Sequence, residues 1–434
     1  MIIKNAKIWT EQGFVTGDLI LRGERISDIS RKDESLAAGT DSLPDNLPEK
    51  EARAEIDCPL EAGMLSDAGF FDETEEILDA GGLLAIPGLV DIHFHGAMGR
   101  DFCDADEESL RIIAKYEAEQ GILAICPATM TLPEEMLLPV MRTAAAHRNG
   151  EGADLVGINM EGPFISPGKV GAQNPVYVTG ADGPMFDRLQ EACGHLIRLV
   201  DLAPEEAGSM DFIRDYHDRV RISVAHTCAD YETAEAAFAA GARHMTHLFN
   251  AMPGIGHREP GPIIAGLEAG ATAEIIADGI HVHPAMVRMA FQSFGKDRMI
   301  LISDSLEATG LKDGEYSLGG QSITLKGGKV VLTEHPETIA GSACNLYQCM
   351  KKAILEMGIP AAAAIQAAAA NPAKAIGIDR DYGSLTPGHY ANVILADEDL
   401  QIRRIIQKGK VLTFENTHSM IIGQGKACTK QKSC

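Results

Sequence analysis

"GLVDIHFHG", residues 88–96, ends a short apolar run in two histidines one residue apart. In an extended chain alternate side chains share a face, so His93 and His95 point the same way. Two neutral imidazoles held side by side make half of a metal site, or simply a strand end with two solvated rings. What else arrives at the same place decides between these readings.

Seven further apolar runs follow: "GILAICPATM" (121–130), "LVGINMEGPF" (155–164), "LIRLVDLAPE" (196–205), "RISVAHTC" (221–228), "RHMTHLFNAM" (243–252), "AEIIADGIHV" (273–282) and "MILISDS" (299–305). Segments of helical composition, such as "DYETAEAAFAAGA" and "PAMVRMAFQSFG", lie between most of them. Strands alternating with helices predict an α/β fold with a parallel sheet. Eight such units predict a (β/α)8 TIM barrel over residues 85–384, with its active site at the strand C-terminal ends. A doubly wound sheet has less support, because no G-x-G-x-x-G follows the first strand.

The two ends have a different texture. Residues 1–30 and 385–412 alternate apolar and polar with glycine punctuation, as short antiparallel strands do. They predict one small β-sandwich domain assembled from residues 1–84 and 385–434. Residues 311–338 predict a β-hairpin excursion after the eighth strand. Residues 31–80 hold 15 acids against 4 bases and little periodicity, which predicts a solvated, partly disordered insertion.

That insertion carries nearly half of the formal net charge of −24. A balance so acidic disfavours nucleic acid and anionic membranes, but leaves room for an anionic substrate met by local cations. No run approaches the roughly 18 unbroken apolar residues of a membrane span, and no signal-peptide pattern opens the chain. Nine cysteines without a CxxC pair fit neither a disulfide framework nor a zinc ribbon, so a reducing cytoplasm is expected. Cys126, inside an apolar run, is expected in the core.

Besides His93 and His95, the strand ends carry Glu161, His226, His247 and Asp304. Each alone has a structural explanation: a turn acid, a cap or a core histidine bonded to backbone. A barrel brings them to one mouth, and coincidence at so many strand ends is improbable. Glu161, His226 and His247 supply N/O ligands for a catalytic divalent ion with an open water position. Such an ion lowers the pKa of its water towards about 7, and a carboxylate such as Asp304 can move the proton. The predicted chemistry is metal-assisted hydrolysis of an amide-type bond.

The motifs also carry a resemblance. "PGLVDIHFHG" resembles the opening motif of the amidohydrolase superfamily. "EGPFISPGKVGAQNP", "AHTCAD", "THLFNAMPGIGHREPG", "ADGIHVHPAMV", "ISDSLEATG" and "IAGSACNL" are similar, in order, to motifs of its N-acetylglucosamine-6-phosphate deacetylase family. The resemblance spans residues 82 to about 357. It implies hydrolysis of the acetamide of N-acetyl-D-glucosamine 6-phosphate, with Glu161, His226 and His247 as metal ligands and Asp304 as proton shuttle. It assigns substrate contacts to Ala172, Gln173, Asn250, Ala251 and Arg258. Asp278, Gly279, Ile280 and His281 would line the sugar pocket together with Ile339, Ala340 and Gly341. Arg258 and His281 would bind phosphate, Arg258 across a homodimer interface.

The chain departs from some members in two ways. Gln173 stands where they carry a histidine, and His93 and His95 stand where they lack a pair. A linked explanation is a second ion on His93 and His95, bridged by Glu161, polarising the carbonyl in place of the missing imidazole. Zinc and ferrous iron both suit these donors, as one or two ions per chain. Action on N-acetylgalactosamine 6-phosphate or a cyclic amide, or a non-catalytic metal-binding barrel, remains open from the sequence. His244, His257 and His283 are read equally well as outer supports or surface groups.

Overall fold

The computed structural model describes residues 1–31 and 76–413. Most of the acidic stretch and the tail beyond 413 therefore lie outside the described residues, and the disorder expected of that stretch with them.

The chain begins with β1 (Ile2–Thr10), β2 (Gly13–Arg22) and β3 (Arg25–Arg31), then β4 (Ile77–Asp79) and β5 (Leu84–Pro87). Every one of the eight apolar runs then holds a strand. These are β6 (Leu89–Asp91), β7 (Ile122–Ile125), β8 (Ile158–Glu161) and β9 (Ile197–Leu202), then β10 (Arg221–Val224), β11 (His244–Met245), β12 (Thr272–Ile276) and β13 (Met299–Ile302). A helix follows each of the first seven directly, from α1 (Glu107–Glu119) to α7 (Pro284–Phe294).

β8 to β13 form one six-stranded parallel sheet in chain order, while β6 and β7 pair in a second parallel sheet. Strands such as Met299–Ile302 are buried on both faces, which is why they read as unbroken apolar runs. The two sheets touch at both ends. Ala128 bridges to Asn159 on one side, and the Asp304 amide donates to the His93 carbonyl at 2.9 Å on the other.

The predicted hairpin is larger than expected. Gly314–Leu318, Gln321–Lys326, Lys329–Leu332 and Ile339–Ser342 (β14 to β17) make a four-stranded antiparallel meander. It is anchored at the site, because the Ser342 amide donates to the Asp304 carbonyl at 2.8 Å.

The last strands, β18 (Val393–Ala396), β19 (Ile402–Gln407) and β20 (Lys410–Val411), return to the N-terminal ones. The hydrogen bonds run as one eight-stranded path, ordered β20-β19-β18-β5-β1-β2-β3 with β4 beside β1. A shared core of Ile3, Ile8, Leu19, Leu21, Val393, Leu395 and Ile406 draws both termini together. This sheet takes in Leu84–Pro87, and Ile77–Asp79 from the end of the acidic stretch. Gly88 alone separates it from β6; a side chain there would meet the Leu123 side chain at 2.7 Å. Trp9, 1% exposed, ties the sheet to the helices by donating to the Ala362 carbonyl at 3.2 Å.

One packing feature works against stability. On α1, Glu117 is fully buried and neither carboxyl oxygen has a hydrogen-bond partner. Burial pushes its pKa well above the usual carboxylate range, and nearby Asp91 adds to the shift. The folded chain thus keeps a proton that the unfolded chain releases above about pH 4.3. The associated stability is present below that pH and declines as pH rises towards the folded value. Glu117→Leu is expected to stabilise the chain by about 1–3 kcal/mol at pH 8 and by less at pH 5. Melting curves at the two pH values check this; no gain at pH 8 would contradict it.

Candidate active site

The strand ends place the polar groups by a common device. His93, His226, His247 and Asp304 each lie two residues beyond the last residue of their strand, and Glu161 is the last residue of β8. His226, His247 and Asp304 adopt φ of +42°, +26° and +48°, a left-handed backbone that side chains other than glycine rarely take. Such conformations cost of order 1–3 kcal/mol each and cluster at functional sites. Here they turn three side chains off the strand direction towards Glu161.

The result is a compact buried cluster. Glu161 Oε1 lies 3.0 Å from His226 Nε2, 3.3 Å from His247 Nε2 and 3.4 Å from His93 Nε2. Its other oxygen, Oε2, lies 3.2 Å from His95 Nε2. Asp304 Oδ1 stands 3.5 Å from His95 Nε2 and 3.9 Å from His93 Nε2. Two overlapping sets of donors lie close enough to share an ion: His93, His95 and Asp304, and His93, Glu161 and His247.

Tautomers and separations both fit a divalent cation. The His226 Nδ1–H donates to the Lys169 carbonyl at 2.8 Å, which leaves its Nε2 lone pair facing the centre. That nitrogen meets His247 Nε2 at 3.1 Å. Tetrahedral ligands with bonds of 2.0–2.1 Å stand about 3.3 Å apart, so a shared ion accounts for the approach. His93 Nε2 is buried at the centre with no hydrogen-bond partner, as a nitrogen reserved for a metal would be. Burial would lower the His93 pKa, but Glu274 and Glu161 outweigh it and hold the ring well above its ordinary value. Burial likewise opposes ionisation of Glu161, yet His93 first and the adjoining His226 and His247 rings keep it well below the usual range. The site thus favours positive charge at its middle.

Gln173 differs from the role expected of it. Its Nε2 donates to Glu161 Oε2 at 2.6 Å and its Oε1 accepts from the Thr131 amide at 2.7 Å. The side chain is engaged at both ends, its amide nitrogen on Glu161 and its oxygen on Thr131. Neighbouring Ala172 offers its carbonyl to Gln321 of the meander at 2.6 Å.

The remaining expected contacts surround this cluster at varying distance. Asn250 bonds the carbonyls of His247 and Leu248, and the Ala251 carbonyl accepts from the Thr227 amide. Asp278 accepts from the amides of Ile280 and His281 and from the His281 ring at 2.7 Å, with Gly279 at the turn. Ile339, Ala340 and Gly341 lie on β17, which leads into Ser342 and its bond to Asp304. Arg258 is exposed on the loop after His247. Cys126 is buried, whereas His257 and His283 are exposed.

One support has no counterpart in the sequence reading, Glu274, and the open reading of His244 resolves to its side. Glu274 is fully buried on β12 and lies 3.0 Å from His93 Nδ1; His244, on β11, lies 3.0 Å from the other Glu274 oxygen. The only sequence signal was a glutamate inside the apolar run "AEIIADG".

Comparison with known proteins agrees with this geometry. The amidohydrolase family model matches residues 84–426. N-acetylglucosamine-6-phosphate deacetylase of Bacillus subtilis (strain 168) is 36% identical over 345 residues, covering 78% of this chain and 87% of the relative. N-acetylgalactosamine-6-phosphate deacetylase of Escherichia coli O157:H7 is 34% identical over 335 residues, covering 76% and 88%. The crystal structure of N-acetyl-D-glucosamine-6-phosphate deacetylase from Mycobacterium smegmatis superposes with a TM-score of 0.80 at 28% identity, over 95% of this chain and 100% of that one. With its family model matched across most of its length and such relatives on either side of one sugar epimer, the chain belongs to the amidohydrolase family.

Proposed function

We propose that this chain hydrolyses the acetamide of N-acetyl-D-glucosamine 6-phosphate, releasing D-glucosamine 6-phosphate and acetate in amino-sugar catabolism. One observation carries the reading: Glu161 Oε1 stands 3.0 Å from His226 Nε2 and 3.3 Å from His247 Nε2, and its other oxygen stands 3.2 Å from His95, which lies 3.5 Å from Asp304. The relatives named as deacetylases of phosphorylated amino sugars give that convergence its substrate. On this reading the parallel strands close as a (β/α)8 barrel and the centre lies at its mouth.

Glu161, His226 and His247 would hold one divalent ion, and His93 and His95, with Glu161 beside them, would hold a second; zinc and ferrous iron suit this donor set. Such ions supply Lewis acidity to the acetyl carbonyl and an acidified water. Asp304 takes the proton of the attacking water as it adds to the carbonyl carbon. When the tetrahedral adduct collapses, Asp304 returns that proton to the departing amine nitrogen. Gln173 keeps Glu161 oriented between the two groups of imidazoles. Asp278 orients His281 at the sugar pocket, and Arg258 offers a planar fork to phosphate oxygens. Arg258 is exposed, and a homodimer in which it serves the neighbouring copy is part of this proposal. Among the described residues no helix is long and apolar enough to cross a membrane; a cytoplasmic enzyme is the proposed setting.

A second reading, N-acetylgalactosamine 6-phosphate as the main substrate, is favoured by the relative at 34% identity. The two epimers differ at one hydroxyl. Discrimination by a hydrogen bond there can be large, because a buried group is left unpaired with the wrong sugar. Measured kcat/KM is expected to favour the gluco epimer, and to fall at least tenfold on the unphosphorylated sugar. A preference for the galacto epimer would transfer the assignment to it.

A further inference from the structure

Glu274 makes three contacts at once. Its Oε2 lies 3.0 Å from His93 Nδ1 and accepts from the His247 amide at 3.2 Å, while its Oε1 lies 3.0 Å from His244 Nε2. His244 is anchored in turn, its Nδ1 lying 2.6 Å from Thr272 Oγ1. The glutamate, His93 and His244 are each 0% exposed. Burying a carboxylate between two parallel strands is costly unless its hydrogen bonds are complete, and here they are.

We infer that Glu274 is a positioning residue that sets the His93 side of the metal centre. This rests on the metal-dependent reading above. Through one carboxylate it fixes the ring plane of His93; its bond from the His247 amide is one that the carbonyl oxygen of glutamine can still accept, so Glu274→Gln bears on the His93 side alone. The contact at Nδ1 leaves Nε2 as the nitrogen that faces Glu161 and Asp304. His244 and Thr272 hold the far side of Glu274, giving a buried line Thr272–His244–Glu274–His93. A carboxylate that orients a ligating imidazole also raises its basicity, and losing such a partner typically weakens metal binding about 10- to 100-fold.

The test measures ion stoichiometry and affinity, with Zn2+ as the probe, on the full chain, Glu274→Gln, His93→Asn and the double variant. Glu274→Gln keeps the shape and removes the charge. The wild type is expected to bind two ions, and Glu274→Gln to retain one tightly while the second weakens about 10- to 100-fold. In the His93→Asn background, Glu274→Gln is expected to have no further effect on that ion, the non-additivity that marks action through His93. A merely structural role would lower Tm and leave stoichiometry and affinity unchanged. Should Glu274→Gln fail to fold, His244→Gln, one contact further out, is expected to weaken the same ion. Unchanged binding in Glu274→Gln, or equal losses with and without His93, overturns the inference. A wild type with a single ion overturns it as well but spares the Glu161, His226 and His247 site; a wild type with none removes the metal reading itself.

Discussion

Asp304→Asn is expected to keep its metal and its fold while kcat falls about 10²- to 10⁴-fold, the range general acid–base groups supply. The expectation follows from where the side chain stands. Its Oδ1 faces His95 at 3.5 Å, while its backbone is held on both sides, by the His93 carbonyl and the Ser342 amide. Asparagine preserves those backbone bonds and the side-chain shape, so the change is confined to the ability to accept and return a proton. Metal quantification beside steady-state kinetics separates this from a ligand loss. Near-normal kcat in the variant would exclude Asp304 as the shuttle.

Glu161→Ala should do something different: empty the centre. Glu161 lies within 3.4 Å of all four imidazoles, and its two oxygens divide between His226, His247 and His93 on one side and His95 on the other. Several kcal/mol of transition-state stabilisation goes with a bound ion, so activity is expected to fall on the order of 10³-fold or more. Metal content should fall with it, in contrast to Asp304→Asn. Retention of stoichiometric metal by Glu161→Ala would contradict the ligand assignment.

Much of this site was legible because strand ends in a parallel α/β fold converge. His93, His226, His247 and Asp304 could be picked out one by one, each following its own apolar run at the same offset. Their supports were not. Glu274 lies 181 residues from His93, and nothing local to a glutamate in an apolar strand announces a partner so distant. His244 was indistinguishable from a surface histidine for the same reason. Gln173 shows another limit: the direction of its amide depends on Thr131 and Glu161, which only folding brings together. The terminal domain was visible as alternation, yet alternation gives each strand a buried face without saying which strands pair. The order β20-β19-β18-β5-β1-β2-β3 therefore had to come from the structure.

The most direct measurement is acetate release from N-acetyl-D-glucosamine 6-phosphate by the purified chain, with bound metal quantified in the same sample. Acetate should appear in step with metal content and stop when a chelator strips the ions. A chain that carries its ions and releases no acetate, or one that releases acetate equally well without them, would contradict the claim that this cluster performs the hydrolysis.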